Sequence, residues 1–89
     1  MPAVHLIIKG KVQGVFYRQS AKKEAVKLGI KGWVKNNEDG TVEAVATGTQ
    51  EQIQRFIKWC RQGPTLAHVS EVIVTDTSGE PFTGFEVRH

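Results

Sequence analysis

The chain has 89 residues, a formal net charge of +3, and 39% hydrophobic and 24% charged residues, which is typical of a globular protein. This length supports one hydrophobic core, so we expect a single domain over residues 1–89. No apolar run is long enough to span a membrane, and no secretion signal opens the chain, so we expect a cytoplasmic protein that binds no membrane. We also expect a monomer. The excess of positive charge favours anionic partners, either nucleic acid or small phosphorylated molecules.

The first half of the chain predicts a strand, a helix and a second strand. Residues 3–9 form a strand whose blurred alternation suits a central position in a sheet. A helix is predicted over residues 19–28, because apolar residues recur on one helical face, and Gly29 ends it. Residues 30–35 then form the second strand, which the turn signal at residues 37–40 joins to a hairpin partner.

The second half predicts a strand over residues 41–47 and the best-defined helix of the chain. Thr49 is its expected N-cap, with Gln52 as the capping-box partner, and Gly63 ends it. One apolar stripe occupies positions i, i+3, i+4 and i+7 of this helix, and it consists of Ile53, Phe56, Ile57 and Cys60. Because Cys60 is the only cysteine, no internal disulfide is possible, and we expect it to be a small buried residue.

Two further strands over residues 69–75 and 84–88 complete the order strand, helix, strand, strand, helix, strand, strand. Two strand–helix–strand units joined by a hairpin predict an α+β protein with a ferredoxin-like βαββαβ sandwich. We expect an antiparallel sheet with a short extra C-terminal strand and with both helices on one face. In this layout the first and third strands are central, and the second strand lies at the edge.

The most informative segment is the turn between the first strand and the first helix, residues 10–18, Gly-Lys-Val-Gln-Gly-Val-Phe-Tyr-Arg. Gly10 and Gly14 allow positive φ and leave N–H groups uncovered, and successive uncovered N–H groups bind anions. The helix start adds its own free N–H groups and a positive dipole end. Arg18 supplies a planar cation, which is unfavourable there unless an anion joins it. The segment predicts a phosphate cradle, although both glycines could serve the turn alone.

The other candidate residues carry weaker signals. On spacing alone, Asn36 and Asn37 are explained by the turn that follows them, and Trp33 is expected to pack against the core or to cover an edge. The three histidines have no metal-like spacing with one another or with cysteine. No pair of carboxylates suggests acid–base chemistry, and no metal or other cofactor is expected.

These residues resemble the acylphosphatase family over nearly the whole chain. The family's loop pattern, Gly-x-Val-Gln-Gly-Val-x-Phe/Tyr-Arg, stands complete at residues 10–18. A second pattern stands as Gly-Trp-Val-Lys-Asn at residues 32–36 before an Asp-Gly turn, and a third as Gly-Pro-Thr-Leu-Ala-His-Val at residues 63–69. One departure is His89, where the family more often has tyrosine or arginine, and we expect it to affect end packing rather than the active site.

The resemblance implies metal-independent hydrolysis of acyl phosphates to a carboxylate and inorganic phosphate. It assigns Arg18 to phosphate binding and Asn36, rather than Asn37, to holding the attacking water. The loop N–H groups that would bind the phosphoryl group belong to Gln13, Gly14, Val15, Phe16, Tyr17 and Arg18.

Three other readings compete with an acylphosphatase. An RNA-recognition domain has the same element order, but it stacks bases on aromatic residues of the two central strands, and here those strands contain none. We therefore expect no nucleic-acid partner. The chain could also be an accessory domain of the kind found in hydrogenase-maturation carbamoyltransferases, or a relative that has lost activity.

Overall fold

The predicted order of elements is confirmed. The computed structural model describes residues 1–79 and 81–89. Within these residues the elements are β1 (Ala3–Lys11), α1 (Tyr17–Leu28), β2 (Lys31–Asn36), β3 (Val42–Thr47), α2 (Gln50–Gln62), β4 (His68–Asp76) and β5 (Phe85–Arg88).

The strands form one sheet in the order β4-β1-β3-β2-β5. β1 runs antiparallel to both β3 and β4, and β2 runs antiparallel to β3. β5 lies parallel to β2, with Gly32 opposite Phe85 and Lys35 opposite Arg88. The ferredoxin-like α+β fold is thus confirmed, but the sheet is mixed. The prediction that β2 lies at the edge is wrong, because β5 satisfies the backbone groups of the edge that β2 would otherwise leave free.

The core lies between one face of the sheet and the two helices. Alternate residues of each strand point to this face. α1 packs over β2 and β5, α2 packs over β1 and β4, and the helices contact each other. As predicted, Cys60 is buried in this core, and burial raises the pKa of its thiol to about 12.

Local signals set the helix ends. α1 begins two residues before the predicted start, because Tyr17 is buried and its hydroxyl donates a hydrogen bond to the Cys60 carbonyl oxygen at 2.7 Å. Gly29 ends the helix in the left-handed conformation, as expected. At the start of α2 the predicted capping box is present, with the Gln52 N–H donating to Thr49 Oγ1 and the Thr49 N–H donating to Gln52 Oε1.

The opposite face of the sheet is not covered by a helix, and we call it the open face. Trp33 lies there rather than in the core, because its neighbours Gly32 and Val34 are buried on the helix side. The Arg88 guanidinium lies 4.8 Å from the centre of the Trp33 ring, which places a cation over its π face. None of the helices in the described ranges is long and apolar enough to cross a membrane.

Candidate active site

An open pocket of about 220 Å³ lies where the β1–α1 loop (residues 12–16), the start of α1 and the end of β2 meet. It joins two candidates that the sequence places far apart, Arg18 and Asn36. Its lining residues are Val12, Gly14, Phe16, Tyr17, Arg18, Gln19 and Asn36.

Buried side chains anchor the β1–α1 loop to the hydrophobic core. Val12, Val15 and Tyr17 are 1%, 4% and 2% exposed and belong to the core cluster. The intervening residues therefore face outward. Gly14 has a φ of 73°, and nothing lies within 4 Å of the place where a Cβ would stand. Its role is thus to allow a backbone conformation that other residues rarely adopt.

Gly10 serves a different purpose from Gly14. The register between β1 and β4 shifts between Lys9 and Gly10, which marks an irregularity of the bulge type. A Cβ on Gly10 would stand 2.1 Å from the His68 carbonyl oxygen. Gly10 therefore lets β4 approach β1 just before the loop, and it does not line the pocket.

Several backbone N–H groups are free around the pocket. None of the loop N–H groups from Gln13 to Phe16 donates to a backbone or side-chain acceptor in the described part of the chain. The first N–H groups of α1 have no intrahelical acceptor by geometry, and no side chain caps this helix end. The first turn of α1 also has no acidic residue. This end of the helix is therefore a region of positive potential with unused donors.

Arg18 adds a full positive charge to this region. Among the residues that the structure describes, its guanidinium pairs with no carboxylate. Its Nη1 donates a hydrogen bond to the Arg88 carbonyl oxygen at 3.4 Å and lies 3.3 Å from His89 Nδ1. The parallel pairing of β5 with β2 brings the end of the chain to Arg18, so the end packing expected to involve His89 includes a contact with this candidate site residue.

The structure distinguishes Asn36, which lines the pocket, from Asn37, which stabilises the turn. Asn37 serves the turn, since its N–H donates to the Thr41 carbonyl oxygen and its Nδ2 donates to Thr41 Oγ1. Asn36 is the last residue of β2 and lines the pocket. Its Oδ1 is buried and has no hydrogen-bond partner among the described residues. A buried acceptor without a partner costs stability, so we expect a water or a ligand to supply one.

The Gln13 side chain has a role that the sequence alone does not reveal. Its Nε2 donates hydrogen bonds to the carbonyl oxygens of Asn37 at 2.7 Å and Thr41 at 2.9 Å. The amide thus ties the β1–α1 loop to the hairpin that carries Asn36. These partners are 24 and 28 residues away from Gln13, so no local pattern could have revealed the contact.

The pocket contains no carboxylate among its lining residues. Tyr17 lines it, but burial raises the pKa of the Tyr17 hydroxyl, which is turned toward the core. Within residues 1–79 and 81–89, no three side chains of His, Cys, Asp or Glu come together in a way that could hold a metal ion. The lining residues supply the cationic guanidinium of Arg18, backbone N–H donors and the side-chain amide of Asn36.

Known proteins are similar to this chain over nearly its whole length. The acylphosphatase family model matches residues 4–87. An acylphosphatase of Thiobacillus denitrificans is 49% identical over 88 residues, which cover 99% of this chain and 98% of that protein. The crystal structure of acylphosphatase from Bacillus subtilis superposes with a TM-score of 0.97 at 34% identity, with both chains covered in full.

A larger protein also contains this fold. The crystal structure of full-length HypF in its phosphate- and nucleotide-bound form has a TM-score of 0.92 and 28% identity. The match covers 99% of this chain and 12% of HypF. The family model and the relatives of similar length agree with each other, and the chain belongs to the acylphosphatase family.

Proposed function

We propose that this chain hydrolyses the carboxyl–phosphate bond of acyl phosphates to a carboxylate and inorganic phosphate, without a metal ion or other cofactor. One observation carries the proposal. Arg18, whose guanidinium has no carboxylate partner among the described residues, and Asn36, whose buried Oδ1 has no hydrogen-bond partner there, line the same pocket. Membership of the acylphosphatase family supports the same reaction.

In this proposal the β1–α1 loop and Arg18 bind the phosphoryl group. The free N–H groups and the guanidinium are donors, and phosphate oxygens are acceptors. Phosphoryl transfer passes through a loose transition state with negative charge on the peripheral oxygens. Preorganised donors around those oxygens stabilise this charge. The donors come from the backbone of Gln13, Gly14, Val15, Phe16, Tyr17 and Arg18.

Asn36 orients the attacking water. Once its amide turns toward the pocket, Oδ1 can accept one hydrogen of a water molecule, which gives the acceptor a partner and turns an oxygen lone pair of the water toward phosphorus. Binding the water beside the phosphoryl group converts a bimolecular encounter into an intramolecular one. Gln13 supports this geometry, because it fixes the hairpin that carries Asn36 to the loop that binds the phosphate.

The substrate makes a general acid unnecessary. The leaving group is a carboxylate whose conjugate acid has a pKa of about 4–5, so it departs without a proton. A phosphoryl oxygen of the substrate can take the proton from the water. The absence of a carboxylate among the lining residues agrees with this route. A phosphate monoester, whose leaving alkoxide requires a proton, would fit this pocket poorly.

The binding-module alternative is not favoured. On the open face, the central strands β1 and β3 carry His5, Ile7, Glu43 and Val45, so they present no Phe, Tyr or Trp on which bases could stack. His5 and Glu43 contact each other at 2.6 Å, and this contact lowers the pKa of Glu43. Because the central strands lack these large aromatic side chains, we propose no nucleic-acid partner.

We also propose that residues 1–89 act as one domain and as a monomer in the cytoplasm. One continuous core cluster includes residues from both helices and supports the single domain. The buried Cys60 is the only cysteine, so the fold needs no oxidising compartment.

The test is hydrolysis of benzoyl phosphate in EDTA by the wild type, Arg18→Ala and Asn36→Ala. We expect wild-type activity in EDTA. Arg18→Ala should lose about 100-fold or more in activity and bind inorganic phosphate more weakly. Asn36→Ala should lose kcat while inhibition by phosphate stays largely intact.

Arg55→Ala is the matched control for Arg18→Ala. Arg55 is exposed on α2 and pairs with Glu51 one helical turn away, so its loss removes the same charge outside the pocket. This control should keep wild-type activity. A wild type without hydrolysis, or one that requires added Mg²⁺, would contradict the proposed mechanism.

A further inference from the structure

The side chain of Phe16 is not explained by the phosphate chemistry. It is 70% exposed and lines the mouth of the pocket. The other large apolar lining residues, Val12 and Tyr17, are almost fully buried. Phe16 is therefore the lining residue that presents a large apolar surface to solvent. The loop pattern of the family leaves this position open, so family membership assigns it no role.

Three local preferences disfavour phenylalanine at this position. Phe16 has a φ of 63° and a ψ of 25°, and it is the only non-glycine residue with positive φ in the described ranges. Glycine or asparagine adopts this conformation at lower cost. Phe16 is also the N-cap of α1 and provides no side-chain cap, where serine, aspartate or asparagine is preferred. Exposure of the ring adds a third unfavourable feature. Residues that break several local rules concentrate at functional sites.

The geometry of the pocket indicates what the ring would contact. The donors of the loop and Arg18 hold the phosphoryl group, so the acyl group must extend toward the mouth. A volume of about 220 Å³ lies below the range of about 300–1,000 Å³ for sites that enclose a small molecule. A large acyl group would therefore leave the pocket and lie against the rim, where Phe16 stands.

We infer that Phe16 determines specificity by packing against the acyl group, and that the enzyme favours acyl phosphates with aromatic or other large apolar acyl groups over small ones. This inference rests on the proposed function. It concerns the acyl group, which the donors that bind the phosphoryl group do not contact. A hydrophobic contact of this kind supplies discrimination of about tenfold or more.

The test is the ratio of kcat/KM for benzoyl phosphate to kcat/KM for acetyl phosphate. General damage to the loop affects both substrates and leaves the ratio unchanged, so the ratio reports contact with the acyl group. Phe16→Asn and Phe16→Gly both suit the left-handed backbone and remove the ring. We expect each to lower the ratio by about tenfold, while inhibition by inorganic phosphate changes little.

Two further variants complete the experiment. Phe16→Tyr keeps an aromatic ring and should keep the ratio within about twofold of the wild type. Val26→Asn is the matched control, because Val26 is 61% exposed on α1 and does not line the pocket, and it should leave the ratio unchanged. An unchanged ratio in Phe16→Asn, including an equal loss for both substrates, would overturn the inference. If the wild type hydrolysed neither substrate, the proposed function would fall, and the inference with it.

Discussion

The Gln13 side chain allows a sharp test of how the two halves of the pocket are held together. Its amide donates to two carbonyl oxygens of the hairpin, at 2.7 and 2.9 Å. A neutral hydrogen bond contributes about 1 kcal/mol to stability, so Gln13→Ala should lower the free energy of unfolding by about 2 kcal/mol. For a domain of this size that corresponds to a fall in Tm of about 8–16 °C.

The same change should affect catalysis selectively. Without the two hydrogen bonds, Asn36 is no longer fixed relative to the loop, and a displacement of about 1 Å can cost up to 100-fold in rate. We expect kcat to fall by at least about tenfold, with a smaller change in inhibition by phosphate. Gln13→Glu should be less stable than Gln13→Ala, because a carboxylate would face two carbonyl oxygens.

Thermal unfolding and steady-state kinetics on one preparation measure both effects. Gln54→Ala is the control, because Gln54 is exposed on α2, and its Tm and kcat should match the wild type. A Gln13→Ala protein with wild-type Tm and kcat would refute the view that this amide couples the loop to the hairpin.

Three further predictions concern stability and reactivity. Gly10→Ala should destabilise the fold by about 2 kcal/mol or more in urea unfolding, because of its φ of 124° and the close His68 carbonyl oxygen. Gly84→Ala, where nothing lies within 4 Å of the added Cβ, should change little, and equal losses would contradict this reasoning. The hydrogen bond with His5 lowers the pKa of Glu43 below its usual value of 4.5. The ionised Glu43 therefore contributes its full stabilisation above pH 4.5, and this contribution is lost as pH falls through the lowered pKa. Glu43→Gln should therefore cost more stability near neutral pH than at about pH 3, and an equal cost at both would argue against it. The Cys60 thiol should react with a disulfide reagent only after unfolding, since it is buried and burial raises its pKa to about 12. Rapid reaction of the native protein would contradict this prediction.

Local signals predicted most of the fold. The capping box at Thr49, the apolar stripe of α2 and the turn after β2 each involve residues within one or two turns of chain, so their spacing is readable from sequence. The position of β5 cannot be predicted in this way, because a short strand can pair with either edge of a sheet. Its parallel pairing with β2 depends on backbone groups that the hairpin leaves free, and this pairing also brings His89 to Arg18.

The active site likewise contains residues that local sequence predicts and residues that it does not. Arg18 could be predicted from the glycines and the helix start beside it, since an arginine at a positive helix end calls for an anion. Asn36 could not be distinguished from Asn37 by spacing, and only the resemblance to acylphosphatases favoured it. Its unpartnered Oδ1 and the contacts of Gln13 arise from tertiary packing between segments more than twenty residues apart.

In the proposed mechanism, the pocket directs water to phosphorus rather than to the acyl carbon. Hydrolysis of acetyl phosphate in ¹⁸O-labelled water with EDTA, followed by mass spectrometry of both products, tests it directly. We predict that the label appears in inorganic phosphate, and that enzyme-dependent labelling falls sharply in Asn36→Ala. Label in the carboxylate instead would show attack at carbon and would contradict the role assigned to Arg18, the loop donors and Asn36.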